Sequence, residues 1–409
     1  MRTSGITIRI ALIAGLIVAV AWLPQVSGPG AQTSGAERSA KNRNLDPGVG
    51  PDLIRLGAAL PMTGPLSKIG TDVKAALAAC FDELNARGGI NGRKIEFVVE
   101  DSLGEPSGTE QATRRLVEER GVFALVGSFE PKGSDSTNDY LKRGRVPLVG
   151  PVTLSPPAAT GPDGYAFYLL PGYSDQARVL VDFIAAKGTK SRLAVVYATS
   201  EFDQDALTAV KAQAKLHSMS VVAEQRYNAG ILSSPAFLQT LAETKPDCIL
   251  FFGIAADLLA FGQQMERAEL RAVLLSLAAM VGRGAFRLPP EIAARTYLSF
   301  PSSLPGRDDF APFLALMQKR GVVLRSAAFQ SVAYAAGTII TEGLKQAGQQ
   351  LSRGSLVSAL EQLRGFKTGV IPPVTFGPNR RVGAAGSYVV GIDLVNKEYL
   401  PLSDRLIPR

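Results

Sequence analysis

The chain has 409 residues, of which 46% are hydrophobic and 20% are charged, and its formal net charge is +8. This length exceeds one ordinary domain, and the composition is that of a globular protein with enough apolar material for packed cores. The basic residues form short groups such as Arg114-Arg115 and Arg380-Arg381, without a stripe of interleaved aromatic residues. The charge therefore does not predict nucleic-acid binding, although a mildly basic protein suits an anionic ligand.

The N-terminal segment has the pattern of an export signal. Arg2 and Arg9 flank a polar start, and the apolar run Ile10–Trp22 that follows is shorter than the roughly 18–20 residues needed to span a bilayer. We therefore expect a Sec-type signal peptide over 1–30, a disordered leader over 31–52 and a periplasmic, soluble mature protein. An uncleaved membrane anchor is the alternative. No cysteine follows the apolar run, which argues against a lipoprotein.

The predicted elements then alternate between strand and helix. The first unit is the strand Leu53–Leu60, an amphipathic helix with apolar residues at helical spacing, and the strand Lys94–Glu100. The pattern continues through helix Gly108–Arg120, strand Val122–Gly127, helix Ser134–Arg143 and strand Val146–Gly150. Short connections between such elements predict a doubly wound parallel sheet.

After a turn-rich stretch, Pro151–Tyr165, the same pattern restarts. Its predicted members are helix Ser174–Lys187, strand Arg192–Tyr197, helix Asp203–His217, strand Ser220–Arg226, helix Ser234–Glu243, strand Asp247–Phe252, helix Ala256–Ala268, strand Arg271–Leu275 and strand Thr296–Phe300. Three helices follow, over Asp308–Arg320, Ser326–Lys345 and Gly354–Leu363, with strands near Val374–Phe376 and Tyr388–Leu394. The sequence thus predicts an α/β protein with two doubly wound parallel-sheet lobes and a crevice between them.

Catalytic and metal-site patterns are missing from the sequence. The single histidine, His217, has no nucleophile-elbow serine to serve, and we interpret it as a surface residue of a helix. No Walker loop or Gly-x-Gly-x-x-Gly follows a strand, and no set of ligands suits zinc. We therefore expect no enzyme activity, no cofactor and no metal. Cys80 and Cys248 are assigned to different lobes and are expected to be buried free thiols.

The stretch Ile54–Asp101 resembles the solute-binding proteins of branched-chain amino-acid ABC transporters, the type I periplasmic-binding-protein family. The resemblance rests on the loop after the first strand and on the turn Asn85–Gly92, and is supported by Tyr334-Ala335-Ala336 and by the ending Thr375-Phe376-Gly377-Pro378-Asn379. It implies a three-stranded hinge, with 53–168 and 301–370 in lobe 1 and 169–300 and 371–409 in lobe 2. It also implies a monomer that delivers a small molecule to an ABC transporter permease of the inner membrane.

Ligands of open parallel sheets bind at the carboxyl ends of the strands, so the loops there supply the candidate contacts. The candidate ligand-binding residues are Ile69, Ser128, Phe129, Pro131, Val152, Thr153 and Ser155 in lobe 1, and Phe202, Ile254, Ala278 and Ala279 in lobe 2. Lys68 and Lys132 are cations that an anionic ligand would meet, although a solvated surface lysine is the commoner case. Small and hydroxylated residues dominate these loops, which suits close approach of a ligand.

Three positions depart from the pattern that the resemblance implies for an amino-acid binder. Pro131 occupies the place of a serine that holds the ligand's carboxylate, and Phe202 that of an aromatic cover that is often tyrosine. The loop 276–280 lacks the acid that neutralises the ligand's ammonium group. Because an unpaired buried charge is costly, these departures favour an organic or aromatic carboxylate over leucine or valine. A register error of one to three residues in the comparison would restore the amino-acid ligand.

Two other functions remain open at this point. A ligand-sensing module with the same two lobes would present its bound state to a membrane receptor or a kinase. Retention of the N-terminal apolar segment and dimerisation through lobe 1 would favour that role. An exported enzyme would require a nucleophile–base pair or a metal site, and the sequence offers neither.

Overall fold

The computed structural model describes residues 46–153, 164–188, 192–198, 201–228, 232, 234–303 and 310–409, with side chains left undescribed at 201–203 and 235. The predicted signal peptide lies outside these residues. So does most of the predicted leader. Residues 46–52, however, are ordered, which corrects the leader's C-terminal boundary. Their backbone turns back on β1 (Leu53–Leu60), where Arg55 N donates to Gly48 O at 2.7 Å and Val49 pairs with Ile54.

Lobe 1 contains the first elements of the chain and three helices from its C-terminal third. After β1 these are α1 (Ser67–Ala86), β2 (Lys94–Asp101), α2 (Pro106–Arg114) with a π-helical turn (Arg115–Glu119), β3 (Ala124–Val126), α3 (Asp135–Arg143), β4 (Leu148–Val149) and β5 (Ala166–Phe167). The later helices are α10 (Ala311–Lys319), α11 (Ala327–Ala347) and α12 (Arg353–Glu361).

The sheet of lobe 1 has the order β2-β1-β3-β4-β5, and all its pairings are parallel. Along β1, Ile54, Leu56 and Leu60 pack with α1 and α11 on one face, whereas Ala59 packs with α2 and α3 on the other. Burial on both faces explains the near-continuous apolar sequence of this strand. The short strand β5 lies at the edge, directly after the predicted turn-rich stretch Pro151–Tyr165, where the sequence predicted no element.

Lobe 2 begins at α4 (Tyr173–Ala186). It continues through β6 (Arg192–Ala198), α5 (Glu201–Leu216), β7 (Ser220–Tyr227), α6 (Pro235–Glu243), β8 (Cys248–Phe252), α7 (Ala255–Arg267), β9 (Val273–Leu277), α8 (Ala278–Val281) with a 3₁₀ turn (Gly282–Arg287), α9 (Pro290–Ala293) and β10 (Thr296–Phe300). The strands β11 (Tyr388–Asp393) and β12 (Glu398–Pro401) complete it.

The sheet of lobe 2 has the order β12-β11-β10-β9-β8-β6-β7. Its five strands β6 to β10 are parallel, as predicted, but β11 and β12 run antiparallel at one edge. The antiparallel edge arises because β11 enters from lobe 1 and returns to β12 through a tight turn in which Asp393 Oδ1 accepts from Val395 N and Asn396 N. Helices α4 and α5 cover one face of the sheet, and α7 covers the other.

Three connections join the lobes: β5 to α4, β10 to α10 and the segment before β11. The last crossing lies later in the chain than the predicted boundary at residue 371. Ile371, Val374, Phe376 and Ala384 are buried in the core of lobe 1, so the apolar residues of this segment keep it there. The predicted strand near Val374–Phe376 therefore does not join lobe 2, and Val374 forms only an isolated bridge with Phe366.

Both cysteines are free, as predicted. Cys80 packs against α11 beside Gly337, and burial raises the pKa of its thiol to about 12, which suppresses the reactive thiolate. Cys248 lies in the core of lobe 2. No helix in the described part of the chain is both long and apolar enough to cross a membrane.

Candidate functional site

An ion pair connects the segments that follow the carboxyl ends of strands in the two sheets. The loop that follows β3 reaches the first turns of α5, where Lys132 Nζ lies 2.8 Å from Asp205 Oδ2. The Lys132 side chain is 24% exposed and that of Asp205 is 68% exposed, so the ion pair lies at the rim and solvent screens it partly. This contact connects the two lobes directly at the edge where ligands bind in open parallel sheets.

The binding loop, defined here as Ser128–Gly133, is anchored on both sides. Ser128 is buried, and its Oγ accepts a hydrogen bond from Ala59 N of β1 at 3.1 Å. Phe129 N donates to Ala59 O, and Glu130 N donates to Val152 O. Ser128, a predicted ligand contact, thus also holds the loop on β1, while Phe129 packs against the lobe 1 core.

Glu130 is a buried residue of the binding loop that the sequence did not suggest as a candidate. Its side chain is buried, Asn138 Nδ2 of α3 donates to Oε1 at 2.5 Å, and the Tyr168 hydroxyl donates to Oε1 at 3.4 Å. Desolvation by burial raises the pKa of Glu130 to about 7 against the opposing effect of these hydrogen bonds, and Asp135 raises it further. A glutamate between Phe129 and Pro131 in a polar loop gives no sequence signal of such burial.

The first loop of lobe 1 is fixed by Asp101 at the end of β2. Its carboxylate accepts from Met62 N at 2.9 Å, from Thr63 Oγ1 at 2.6 Å and from Leu103 N at 2.9 Å. Burial raises the pKa of Asp101, but these hydrogen bonds outweigh it and hold the pKa below its ordinary value. A charged anchor thus orders the loop that leads into α1 and its candidate residue Ile69, which is partly buried against the lobe 1 core.

In lobe 2, the end of β8 places an acid at the crevice edge. Gly253 follows the strand directly, and a Cβ there would lie only 1.9 Å from the hydroxyl oxygen of Tyr227. The missing side chain admits that hydroxyl, which donates to Asp257 Oδ2 at 3.0 Å. Asp257 lies in the first turn of α7 and is half-buried. Lobe 2 therefore carries an acid at this edge, although the loop 276–280 has none.

Apolar and small residues follow β8 and the neighbouring strand β9 at this edge. Ile254 precedes α7 in an extended conformation and is 60% exposed, an unusual state for so large an apolar side chain. Ala278 is buried and Ala279 exposed at the start of α8, directly after β9. Ser276 is fully buried and donates to Phe251 O at 2.8 Å, so it is used within the sheet.

Of the remaining candidates, the structure describes the side chains of three and not those of the other two. Val152 is buried and pairs with Phe129, Thr153 is half-buried, and Pro131 O accepts from Ser134 Oγ at 2.7 Å. Ser155 and the side chain of Phe202 lie outside the described residues. Of the two candidate cations, Lys132 is engaged with Asp205, while Lys68 is exposed in the first turn of α1.

His217 is less exposed than a surface histidine. Its Nε2 lies 2.6 Å from Asp182 Oδ1 of α4, and the two side chains are 20% and 15% exposed. Asp182 Oδ2 also accepts from Arg409 N at 3.2 Å. The pair therefore packs α4, α5 and the last residue together. Within the described ranges, no group of three or more His, Cys, Asp or Glu side chains is placed to hold a metal ion.

A cavity of about 670 Å³ lies outside the crevice, between α1 and the connection from α10 to α11. Its wall includes Ala75, Ala78 and Ala79, and Lys319 and Arg320 line its edge. Both cations contact Glu83, at 2.8 and 2.9 Å, and these hydrogen bonds lower the pKa of Glu83 to about 2. The charges at this cavity thus hold α10 against α1.

Comparisons with known proteins show the family of this chain. The family described as periplasmic binding protein matches residues 53–397. The chain is 23% identical over 323 residues to a Leu/Ile/Val-binding protein homolog 3 of Brucella melitensis, covering 78% of this chain and 85% of that protein.

Two solved structures share the fold. A branched chain amino acid ABC transporter protein of Thermus thermophilus, with bound valine, superposes with a TM-score of 0.71 at 18% identity, covering 87% of this chain and 96% of that one. A fatty acid ABC transporter substrate-binding protein of Thermomonospora curvata superposes with a TM-score of 0.68 at 19% identity, covering 88% and 94%.

Proposed function

The chain belongs to the periplasmic binding protein family, and on that premise we propose that it captures a small solute between its lobes and delivers it to an ABC transporter permease of the inner membrane. The observation that carries the proposal is the ion pair that connects the lobes, in which Lys132 of lobe 1 contacts Asp205 of lobe 2. A solute held there touches both lobes, so its binding favours the closed arrangement.

The solute class is a carboxylate on an apolar body. The exposed Ile254 and the small residues Ala278 and Ala279 suit an apolar body at the lobe 2 edge. The N-terminus of α7 presents backbone N–H groups and a positive dipole end to a carboxylate. The two solute types named by the structural neighbours, valine and fatty acid, share this chemistry.

An ammonium group on the solute has a partner in Asp257. This carboxylate receives one hydrogen bond from Tyr227 and is half-buried, so it retains acceptor capacity toward the crevice. The missing acid in the loop 276–280 therefore does not exclude an amino acid. We propose an amino-acid-like ligand whose ammonium contacts Asp257, with a simple organic or aromatic carboxylate as the alternative.

Delivery to a permease requires export, which the N-terminal pattern of Arg2, Arg9 and Ile10–Trp22 supports. The proposed location is the periplasm, and the proposed working form is a monomer. The three connections between the lobes act as the hinge, and the rim pair Lys132–Asp205 is a contact that opening of the crevice would separate.

The experiment is a thermal-shift screen of the purified full chain against aliphatic and aromatic amino acids and against the matching carboxylates without the amino group. Stabilisation by ammonium-bearing solutes, lost in Asp257→Asn, is the expected result. Stabilisation only by the carboxylates would overturn the role of Asp257. A folded protein stabilised by none of these solutes would contradict solute capture of this class.

A matched control separates the acid from its surroundings. Glu243 is an exposed glutamate at the end of α6, away from the carboxyl edge of the sheet, so Glu243→Gln removes one negative charge of lobe 2 without touching the proposed site. This variant is expected to bind as the unchanged protein does. A parallel loss in both variants would indicate a general charge effect.

A further inference from the structure

The buried cluster around Glu130 joins three parts of lobe 1. Glu130 belongs to the binding loop, Asn138 to α3 and Tyr168 to the connection that leaves β5 for lobe 2. Asn138 Nδ2 also lies 3.2 Å from the Tyr168 hydroxyl, which closes the set of contacts. The carboxyl group of Glu130 therefore links the binding loop to α3 and to the first connection between the lobes.

The hinge side of this cluster is well ordered. Tyr168 is buried, its N–H donates to Arg381 O at 2.7 Å, and its carbonyl accepts from Gly383 N at 2.9 Å. The next residue, Leu169, accepts from Ala384 N, so the first and last connections between the lobes lie side by side here. A displacement of the Tyr168 side chain would thus act on two of the three connections.

In the described residues, the Glu130 carboxyl group has no cation beside it, and its second oxygen, Oε2, has no donor. No described Lys, Arg or His side chain forms an ion pair with Glu130, and Lys132, two residues on, extends to Asp205 instead. Glu130 Oε2, Asn138 Oδ1 and Thr137 Oγ1 are buried without a hydrogen-bond partner. A charged carboxylate in such a place is costly, whereas a proton on Oε2 removes the charge and supplies a donor.

We propose that Glu130 is a positioning residue that, as a neutral carboxylic acid, ties the binding loop to the hinge, and that loss of its proton loosens both. The charged and titratable groups around it are Asp135 of α3, Tyr168 and, in its own loop, Lys132. Asp135 opposes ionisation of Glu130, and the hydroxyl of Tyr168 and the amide of Asn138 favour it. Lys132 lies two residues after Glu130 in the same loop. Loosening of the loop would therefore also displace the contact between Lys132 and Asp205.

The direction of the pH effect follows from the pKa of Glu130, which burial raises from 4.5 to about 7. The folded protein then holds this proton more tightly than the unfolded chain does. The stabilising contribution of the protonated group is complete below the unfolded pKa and is lost as the pH rises through the folded one. The free energy of unfolding therefore falls between pH 4.5 and about 7, and the loop loses order as the pH passes about 7, where the folded protein releases the proton.

The first test is equilibrium urea unfolding of the full chain, Glu130→Gln and the control Glu119→Gln between pH 5 and pH 8. Glutamine keeps the shape and stays neutral, so the folding equilibrium constant of the unchanged protein relative to Glu130→Gln should fall roughly tenfold to hundredfold over this range. Glu119 is an exposed glutamate of the same lobe, and its variant should follow the unchanged protein. Parallel profiles for all three proteins would overturn the proposal.

The second test is hydrogen–deuterium exchange of the unchanged protein at pH 6 and pH 8, corrected for intrinsic rates. Peptides covering 128–134 and 164–172 should lose protection together at pH 8, while the β8 segment Cys248–Phe252 stays protected. Failure of either peptide to respond would refute the coupling, and this readout needs no folded variant. The consequence for capture rests on the proposed function. Both tests use ligand-free protein, so a negative solute screen would leave them unaffected.

Discussion

The binding loop of lobe 1 and the Gly253–Asp257 segment of lobe 2 share one arrangement with different outcomes. Each follows a buried parallel strand, begins near a glycine and carries an acid that a tyrosine hydroxyl contacts: Glu130 with Tyr168, and Asp257 with Tyr227. Glu130 is only 6% exposed, whereas Asp257 is half-buried at the crevice edge. Similar chemistry thus produces a residue that orders its loop in one lobe and one available to a solute in the other.

The strand-end glycines provide the largest expected effects. Gly253→Ala would place a Cβ 1.9 Å from the Tyr227 hydroxyl and 2.7 Å from the Phe251 ring, so the buried tyrosine must leave Asp257. We expect a loss of roughly 2–4 kcal/mol in the free energy of unfolding, measured by urea titration.

Gly127→Ala tests the lobe 1 counterpart. Its φ of +63° and a Cβ 2.8 Å from Leu77 Cδ1 predict a loss of about 1–3 kcal/mol. Gly354→Ala in α12, where the nearest atom lies 3.8 Å away, is the control and should be neutral or stabilising by up to about 1 kcal/mol. A neutral Gly253→Ala would refute the packing described for Tyr227.

Removal of the charge at Asp257 is expected to affect binding more than folding. A hydrogen bond to a charged group contributes roughly 1.5–3 kcal/mol, so Asp257→Asn should weaken an amino-acid ligand about tenfold to hundredfold. Isothermal titration calorimetry with an amino acid and its deaminated analogue measures the difference. Equal losses for both solutes would show that Asp257 does not recognise the ammonium.

Removal of the Tyr168 hydroxyl should have an effect that depends on pH. Tyr168→Phe should cost about 1 kcal/mol, and more above pH 7, because its hydroxyl lowers the pKa of Glu130 by stabilising the charged form. Without that hydroxyl the pKa of Glu130 rises further, so the ionised form present at alkaline pH is less stable. Thermal unfolding at pH 5 and pH 8 measures this. A cost for Tyr168→Phe that is the same at both pH values would contradict a titrating Glu130.

The rim pair should have the smallest effect. A double-mutant cycle of Lys132→Ala and Asp205→Ala is expected to show a coupling of roughly 0.2–1 kcal/mol, because Asp205 is 68% exposed. The coupling should fall further at high salt, since screening acts on exposed charges. A coupling that salt leaves unchanged would mean that the pair is less exposed to solvent than its geometry indicates.

The sequence predicted the lobes well because their strands are apolar on both faces and their helices amphipathic. Leu53–Leu60 and Thr296–Phe300 were predicted with the observed bounds. The antiparallel edge of lobe 2 was missed, since alternation within one strand carries no information about the direction of its neighbour. The late crossing after Ala384 was missed because irregular apolar segments such as 371–376 have no period to follow.

The site was less predictable than the fold. Topology alone selects the loops after the strands as candidates, but the roles of single side chains depend on packing. The Ser128 hydroxyl accepts from β1, and Glu130 is buried beside α3 and Tyr168, and neither contact can be read from the sequence of the loop. An acid of lobe 2 was sought in the loop 276–280 at the end of β9. Asp257 was therefore not selected, because it follows the neighbouring strand β8.

Capture of a carboxylate-bearing solute between the lobes can be tested by small-angle X-ray scattering. The full chain is measured with and without the solute that gives the largest thermal shift in the screen. We expect a smaller radius of gyration in the presence of that solute, because the lobes close on it. An unchanged radius at a saturating concentration of a bound solute would contradict capture by closure.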